Sequence, residues 1–140
     1  MSEAKCHYCE KGEIMAAIGL EVCKLSISTI YLFREQSHPG RVIVAYNDHV
    51  GDVAELTDAQ QAAFFADVVK TAKALYAVFK PDKINYGAYG DTMRHLHFHL
   101  VPKYKDEFEW GGIFAMNPQK IMLTGAEYAE MVEKIRKALG

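Results

Sequence analysis

The chain has 140 residues, half of them apolar and 24% charged, with a formal net charge of −2. That length allows one domain with a proper core. The charge supplies no electrostatic basis for a nucleic-acid or membrane partner, and no apolar run approaches the roughly 20 residues of a membrane helix. Residues 1–13 lack the apolar centre of a secretory signal. A cytoplasmic location and a single domain over residues 1–140 are therefore the expectations.

In chain order, Cys6-His7-Tyr8-Cys9 comes first. The cysteines number three, an odd count with two of them close together, which argues against a disulfide framework. Cys6-x-x-Cys9 reads as half a metal site or a redox pair, whereas Cys23 reads as a small buried apolar residue. His7, between the two cysteines, is expected in solvent. Leu20 to Lys24, Ser26 to Phe33 and Arg41 to Tyr46 are rich in β-branched, aliphatic and aromatic residues and predict three strands. Ser37-His38-Pro39-Gly40 predicts the turn before the third, with His38 exposed.

Thr57 followed by Gln60 has the form of a helix-capping box. Behind it Phe64, Phe65, Val68, Val69, Ala72, Leu75, Tyr76 and Phe79 recur at helical spacing, and Pro81 ends the segment. Ile84 to Tyr89 and His95 to Val101 predict two more strands. Lys103 to Glu109 mixes both charge signs and reads as a solvated loop, and Trp110 is expected to pack. Thr124 and Glu127 form a second capping box before a helix over Gly125 to Leu139. Its apolar stripe is Tyr128, Met131, Val132, Ile135 and Leu139. The order β-β-β-α-β-β-α predicts an α+β fold: a mainly antiparallel sheet with one long central helix and a C-terminal helix.

His95-Leu96-His97-Phe98-His99 is the segment that carries chemistry. Alternate side chains of a strand face the same way, so His95, His97 and His99 share one face and Leu96, Phe98 and Leu100 the other. A one-residue slip would bury three imidazoles and expose three hydrophobes, so packing fixes the register. Three aligned imidazoles can hold a catalytic metal with an open position. Alternatively one ring attacks phosphorus while its neighbours bind phosphate oxygens. A row of ordinary surface histidines is the third reading, and the strict alternation speaks against it.

This segment resembles the histidine-triad (HIT) signature, in which histidine alternates three times with apolar residues and two apolar residues follow. Asn85 to Asp91, Thr92 three residues before the triad, and Pro39-Gly40-Arg41 ahead of Val-Ile-Val resemble the family's neighbouring segments. The resemblance covers about residues 6–102. It implies a HIT-like fold, and an enzyme that hydrolyses or transfers a nucleotide at the α-phosphate of a purine nucleotide derivative. His97 would be the nucleophile and become nucleotidylated. His99 would contact the phosphate, and Asn85 and Thr92 would bind phosphate or leaving-group oxygens. By the same resemblance, a structural zinc would be held by Cys6, Cys9, His49 and His95, and the protein would be a homodimer. A zinc-stabilised nucleotide-binding regulatory module with little turnover is the alternative. One departure stands out: Arg41 occupies a position where many members carry a histidine, and it either binds phosphate or faces away. The acidic residue used on the ribose has a weak counterpart in Glu35.

Overall fold

The computed structural model describes residues 6–118 and 121–140. Strands β1 (Gly19–Lys24), β2 (Ser28–Phe33), β3 (Val42–Tyr46), β4 (Lys83–Ala88) and β5 (His97–Lys103) form one sheet in the order β1-β2-β3-β5-β4. Every neighbouring pair is antiparallel. Helices α1 (His7–Glu10) and α2 (Glu13–Ile18) precede the sheet, α3 (Asp58–Phe79) connects β3 to β4, and α4 (Gly125–Leu139) follows. The chain is therefore α+β, as the element order predicts.

Strand alternation divides the sheet into two unlike faces. Ile30 and Leu32 of β2, Val42, Val44 and Tyr46 of β3, and Leu100 of β5 enter the main core. There they meet Phe64, Val68, Ala72 and Leu75 of α3 and Tyr128, Ile135 and Leu139 of α4. The residues between them, Tyr31, Ile43 and Ala45, face the other way and pack with Cys6, Tyr8 and Met15. His97 and His99 lie on this second face, opposite Ala45 and Ile43 in the ladder.

Both capping boxes form as the sequence predicts. The Thr57 hydroxyl accepts from the Gln60 N–H at 3.2 Å and the Gln60 side chain accepts from the Thr57 N–H at 2.9 Å. Thr124 and Glu127 do the same. Helix α3 stops at Lys80, whose left-handed conformation lets its N–H reach the Tyr76 carbonyl. Gly40 also adopts a positive φ, and a Cβ there would strike the Phe79 ring, which fits the predicted turn.

Several expectations need correction. The apolar stripe of α3 is narrower than the sequence suggests, because Phe65, Val69 and Tyr76 are exposed; the helix turns them away from a sheet that only one face can cover. The fifth strand runs His97–Lys103 rather than His95–Val101. Its start is delayed because the His95 N–H bonds the Met93 carbonyl and the Leu96 N–H the Val50 carbonyl. Its end is extended because pairing with β4 continues to Lys103 after pairing with β3 stops at Leu100. Pro102 lies in that extension, where a missing N–H costs no bond to β3. Helices α1 and α2 carry no apolar repeat long enough to predict.

His38 is buried, not exposed. Its Nε2 lies 2.7 Å from Glu109 Oε1, and its ring packs on Phe108. The charged run after β5 is only partly solvated: Lys103 is buried and its ammonium donates to the carbonyls of Glu109 and Gly112. Trp110 is substantially exposed rather than packed. Cys23, expected to be buried, is only partly so, packing against the main core.

Candidate active site and metal centre

The three histidines share one face and are all buried. What separates them is the group that each ring nitrogen meets. His95 Nε2 lies 2.7 Å from the Tyr46 carbonyl oxygen. A carbonyl only accepts, so this nitrogen carries the proton and Nδ1 keeps its lone pair. His97 Nδ1 lies 2.5 Å from the His95 carbonyl oxygen, so Nδ1 is protonated and Nε2 keeps its lone pair. His99 Nδ1 lies 3.2 Å from an Arg41 terminal nitrogen. Arginine only donates, so here Nδ1 has the lone pair and Nε2 carries the proton.

Around His95, four donors converge. Cys6 Sγ is 3.2 Å and Cys9 Sγ 3.6 Å from His95 Nδ1, while His49 Nδ1 is 3.4 Å from both Cys9 Sγ and His95 Nδ1. All four ligand atoms lie within 4.8 Å of one another. Zinc bond lengths of about 2.3 Å to sulfur and 2.0–2.1 Å to nitrogen give tetrahedral edges of roughly 3.3–3.8 Å, and the four spacings above lie close to that range. The Tyr46 carbonyl holds the imidazole as a ligand's outer partner does, fixing tautomer and orientation. These residues can thus hold one metal ion, and the ligand set of the sequence analysis is brought together in full.

His97 and His99 open instead onto a cleft of about 470 Å³. Its lining mixes apolar side chains, among them Ile18, Phe33, Ile43 and Met122, with Thr92, Glu35 and the two imidazoles. Tyr8 links the cleft to the metal centre, its ring 5.1 Å from that of His95 and 4.8 Å from that of His97. Burial holds the His97 pKa below the ordinary imidazole value, against the opposing hydrogen bond to the His95 carbonyl. Burial lowers His99 further, to about 3, helped by the Arg41 charge and by His97. Both rings are therefore neutral at pH 7, so the tautomers assigned above are the relevant species.

The predicted site residues are not all equally close. Thr92 lines the cleft beside His97 and His99. Asn85 has the same strand parity as Gly87, the ladder partner of His99, but it lines a smaller, separate cavity with Lys83, Lys103 and Trp110. Glu35 reaches the cleft wall, yet its carboxylate already accepts from Ser37 and from the Ile121 N–H.

Sequence reasoning leaves the direction of Arg41 open and passes over Tyr8, Tyr89 and Phe114. His7, expected in solvent, is half-buried in the cleft wall. Strand parity was the signal available for Arg41: it stands two residues before Ile43 and so shares the histidine face. No local pattern marks Phe114, which reaches the site because Gly87 has no side chain; a Cβ there would lie 2.6 Å from its ring.

The site is thus a row of buried imidazoles on one strand of an α+β sheet, beside a cleft sized for a small molecule. The HIT domain family model matches residues 25–106, and the chain belongs to that family. It is 24% identical to the adenosine 5'-monophosphoramidase of Schizosaccharomyces pombe, over 91% of this chain and 98% of that protein. It is 31% identical to the AP-4-A phosphorylase of Mycobacterium tuberculosis over 54% of this chain, but spans only 38% of that enzyme. A histidine triad protein from Sinorhizobium meliloti has the same fold, with a TM-score of 0.83 at 22% identity over 91% of this chain and 94% of that one. So has a Zn-bound histidine triad family protein from Mycobacterium smegmatis, with a TM-score of 0.69 at 18% identity over 99% and 95%.

Proposed function

We propose that this HIT-family enzyme is a nucleotide hydrolase or nucleotidyl transferase acting at the α-phosphate of a purine nucleotide derivative, through a covalent intermediate on His97. The observation that carries the reading is the bond from His97 Nδ1–H to the His95 carbonyl. It aims the Nε2 lone pair into the cleft without any separate base. Nε2 forms a bond to phosphorus as the bond from phosphorus to the leaving group breaks, and the leaving group takes up a proton. Water or another acceptor then attacks the same phosphorus and frees the imidazole. His99 Nε2–H and the Thr92 hydroxyl donate to the charged oxygens, and fixed donors of this kind supply most of the stabilisation in phosphoryl chemistry. Asn85, which lines a separate cavity, is assigned to phosphate or leaving-group oxygens. The apolar side chains of the cleft lining suit a purine ring.

The reading is supported by the fission-yeast and mycobacterial relatives, an adenosine 5'-monophosphoramidase and an AP-4-A phosphorylase. We assign a structural zinc to Cys6, Cys9, His49 and His95, with support from the edge lengths and from the Zn-bound relative. Bound there, zinc would pin the segment carrying Tyr8 to the near end of the triad strand. The whole chain is taken to act as one HIT-like domain, as a homodimer in the cytoplasm, where thiols stay reduced. No helix among the described residues is long and apolar enough to cross a membrane.

The test is nucleotide release from adenosine and guanosine phosphoramidates and dinucleoside polyphosphates. Release should fall by at least about 10³-fold in His97→Asn, the scale seen when a catalytic nucleophile is removed, with zinc retained. Unchanged release in that variant would overturn the assignment. Tight nucleotide binding with no release by the wild type would favour the regulatory module.

A further inference from the structure

Arg41 is fully buried, and its charge has no carboxylate in ion-pair contact among the described residues. Its guanidinium lies between two aromatic rings, 4.1 Å from the Phe33 centroid and 5.0 Å from that of Phe114. One terminal nitrogen donates to the Ala115 carbonyl at 3.2 Å. The other faces His99 Nδ1 at 3.2 Å and the Met116 sulfur at 3.6 Å. Nε is buried without a hydrogen-bond partner. Desolvation lowers even the arginine pKa, to about 10, which still leaves it charged at pH 7. Glu35 and Glu109 favour the charge only from beyond ion-pair distance, and a buried cation with no carboxylate in contact is costly unless the fold uses the charge. Two aromatic faces offset part of that cost, and the remaining field falls on His99.

The bond to His99 constrains chemistry as well as position. A neutral imidazole has one N–H, and a ring that accepts on Nδ1 must place that N–H on Nε2. His97 has the reverse arrangement, because its partner is a carbonyl oxygen. Two rings only two residues apart, with centroids 5.5 Å apart, are thus held in opposite tautomers. One presents a lone pair to phosphorus and the other an N–H to a phosphate oxygen.

We propose that Arg41 is a positioning residue that acts through His99: its guanidinium holds His99 as the Nε2–H tautomer, oriented to donate to a non-bridging oxygen of the α-phosphate that His97 attacks. The proposal rests on the nucleotidyl-transfer reading above, but its first test needs no substrate. The same guanidinium bonds the carbonyl of Ala115 and so ties the Phe114–Met116 segment of the cleft wall to the ring it orients. Lysine at this position would keep the charge but lose the planar fork that reaches the ring and the carbonyl together.

Long-range proton–nitrogen NMR of the histidine rings in the zinc-loaded protein reads the tautomers directly. Wild-type His99 should carry its proton on Nε2 and show a hydrogen-bonded Nδ1. In Arg41→Met, which keeps a similar apolar length, the Nδ1 resonance should move toward that of a bare lone pair or divide between tautomers, while His97 keeps Nδ1–H. A proton on His99 Nδ1 in the wild type overturns the proposal whether or not any variant folds. So does an Nδ1 resonance that is the same in wild type and in folded Arg41→Met.

Kinetics on an adenosine phosphoramidate supply the second arm. Arg41→Met should lower kcat about 10-fold or more, short of the 10²–10³ that follows outright loss of an oxyanion donor. Arg41→Lys should recover part of it. In a His99→Asn background the further loss should be less than about twofold, since a residue that acts through another is not additive with it. Losses that multiply in the double variant, or a rise in KM with kcat unchanged, would place Arg41 directly on the phosphate and contradict the proposal. A wild type with the expected tautomers and no release would leave the proposal's structural half standing and count against the nucleotidyl-transfer reading instead.

Discussion

His95 and His99 stand at the two ends of one row, on the same face and equally buried, and they do opposite things. At one end a carbonyl takes the Nε2 proton of His95 and turns Nδ1 toward two sulfurs and His49. At the other a guanidinium takes up the Nδ1 lone pair of His99 and turns an N–H toward the cleft. Alternation puts the three rings side by side, but the second contact of each ring decides which nitrogen keeps its lone pair. Spacing alone therefore defines a place for chemistry, and the roles proposed for the three rings rest on the neighbours Tyr46, the His95 carbonyl and Arg41.

If the ends differ in this way, damage at the His95 end should be felt most widely. Cys6→Ala should lose the bound zinc and, by freeing the segment that holds Tyr8 against His97, lower activity about 10–100-fold, the scale of a disturbed metal surrounding. Metal analysis alongside kinetics checks this. Full metal retention in Cys6→Ala would break the distinction between the two ends.

A smaller effect sharpens it. The folded pKa of His99 is about 3, well below the ordinary value near 6.5 that an unfolded chain shows. Between these two values the unfolded state binds a proton that the folded state does not, so stability falls as pH drops from about 6.5 toward 3. His99→Gln should therefore show a shallower fall in melting temperature between pH 7 and pH 5 than the wild type. An identical slope would mean that His99 is not the neutral ring described.

The smallest expected effect lies far from both ends. Thr124→Ala removes the cap of α4 and should cost about 1 kcal/mol, roughly 2–4 °C in Tm, with metal content and turnover unchanged. Thermal unfolding and the release assay together distinguish this general loss from one that reaches the histidines.

Much of this was legible in the sequence for identifiable reasons. Capping boxes are local, with donor and acceptor three residues apart, and both formed. The alternation of Leu96, Phe98 and Leu100 with the histidines gave the shared facing of the triad, but not its burial: the expected contrast between a buried apolar face and an open imidazole face is absent, because Tyr8, Phe33 and Arg41 cover the rings. The four metal donors were legible only through family resemblance, because the ladder and the β3–α3 connection bring His49 and His95 to residues that are distant in sequence. Harder to read were contacts with no local period. The burial of His38 depends on Glu109, and the approach of Phe114 depends on a missing side chain at Gly87. The start of the fifth strand depends on a carbonyl at Val50. Arg41 lies between these cases: its direction was left open although strand parity could have given its face, and only the rings of Phe33 and Phe114 show how a charge can stay there.

The central claim is a covalent bond between His97 Nε2 and the α-phosphorus, and trapping tests it most directly. The zinc-loaded enzyme would be mixed with an adenosine phosphoramidate and quenched in alkali during turnover, then digested and mapped by mass spectrometry. The account predicts one adenylyl group, on His97, absent from His97→Asn. An adduct on another residue, or rapid turnover in which no protein adduct ever accumulates even when hydrolysis is slowed, would contradict it.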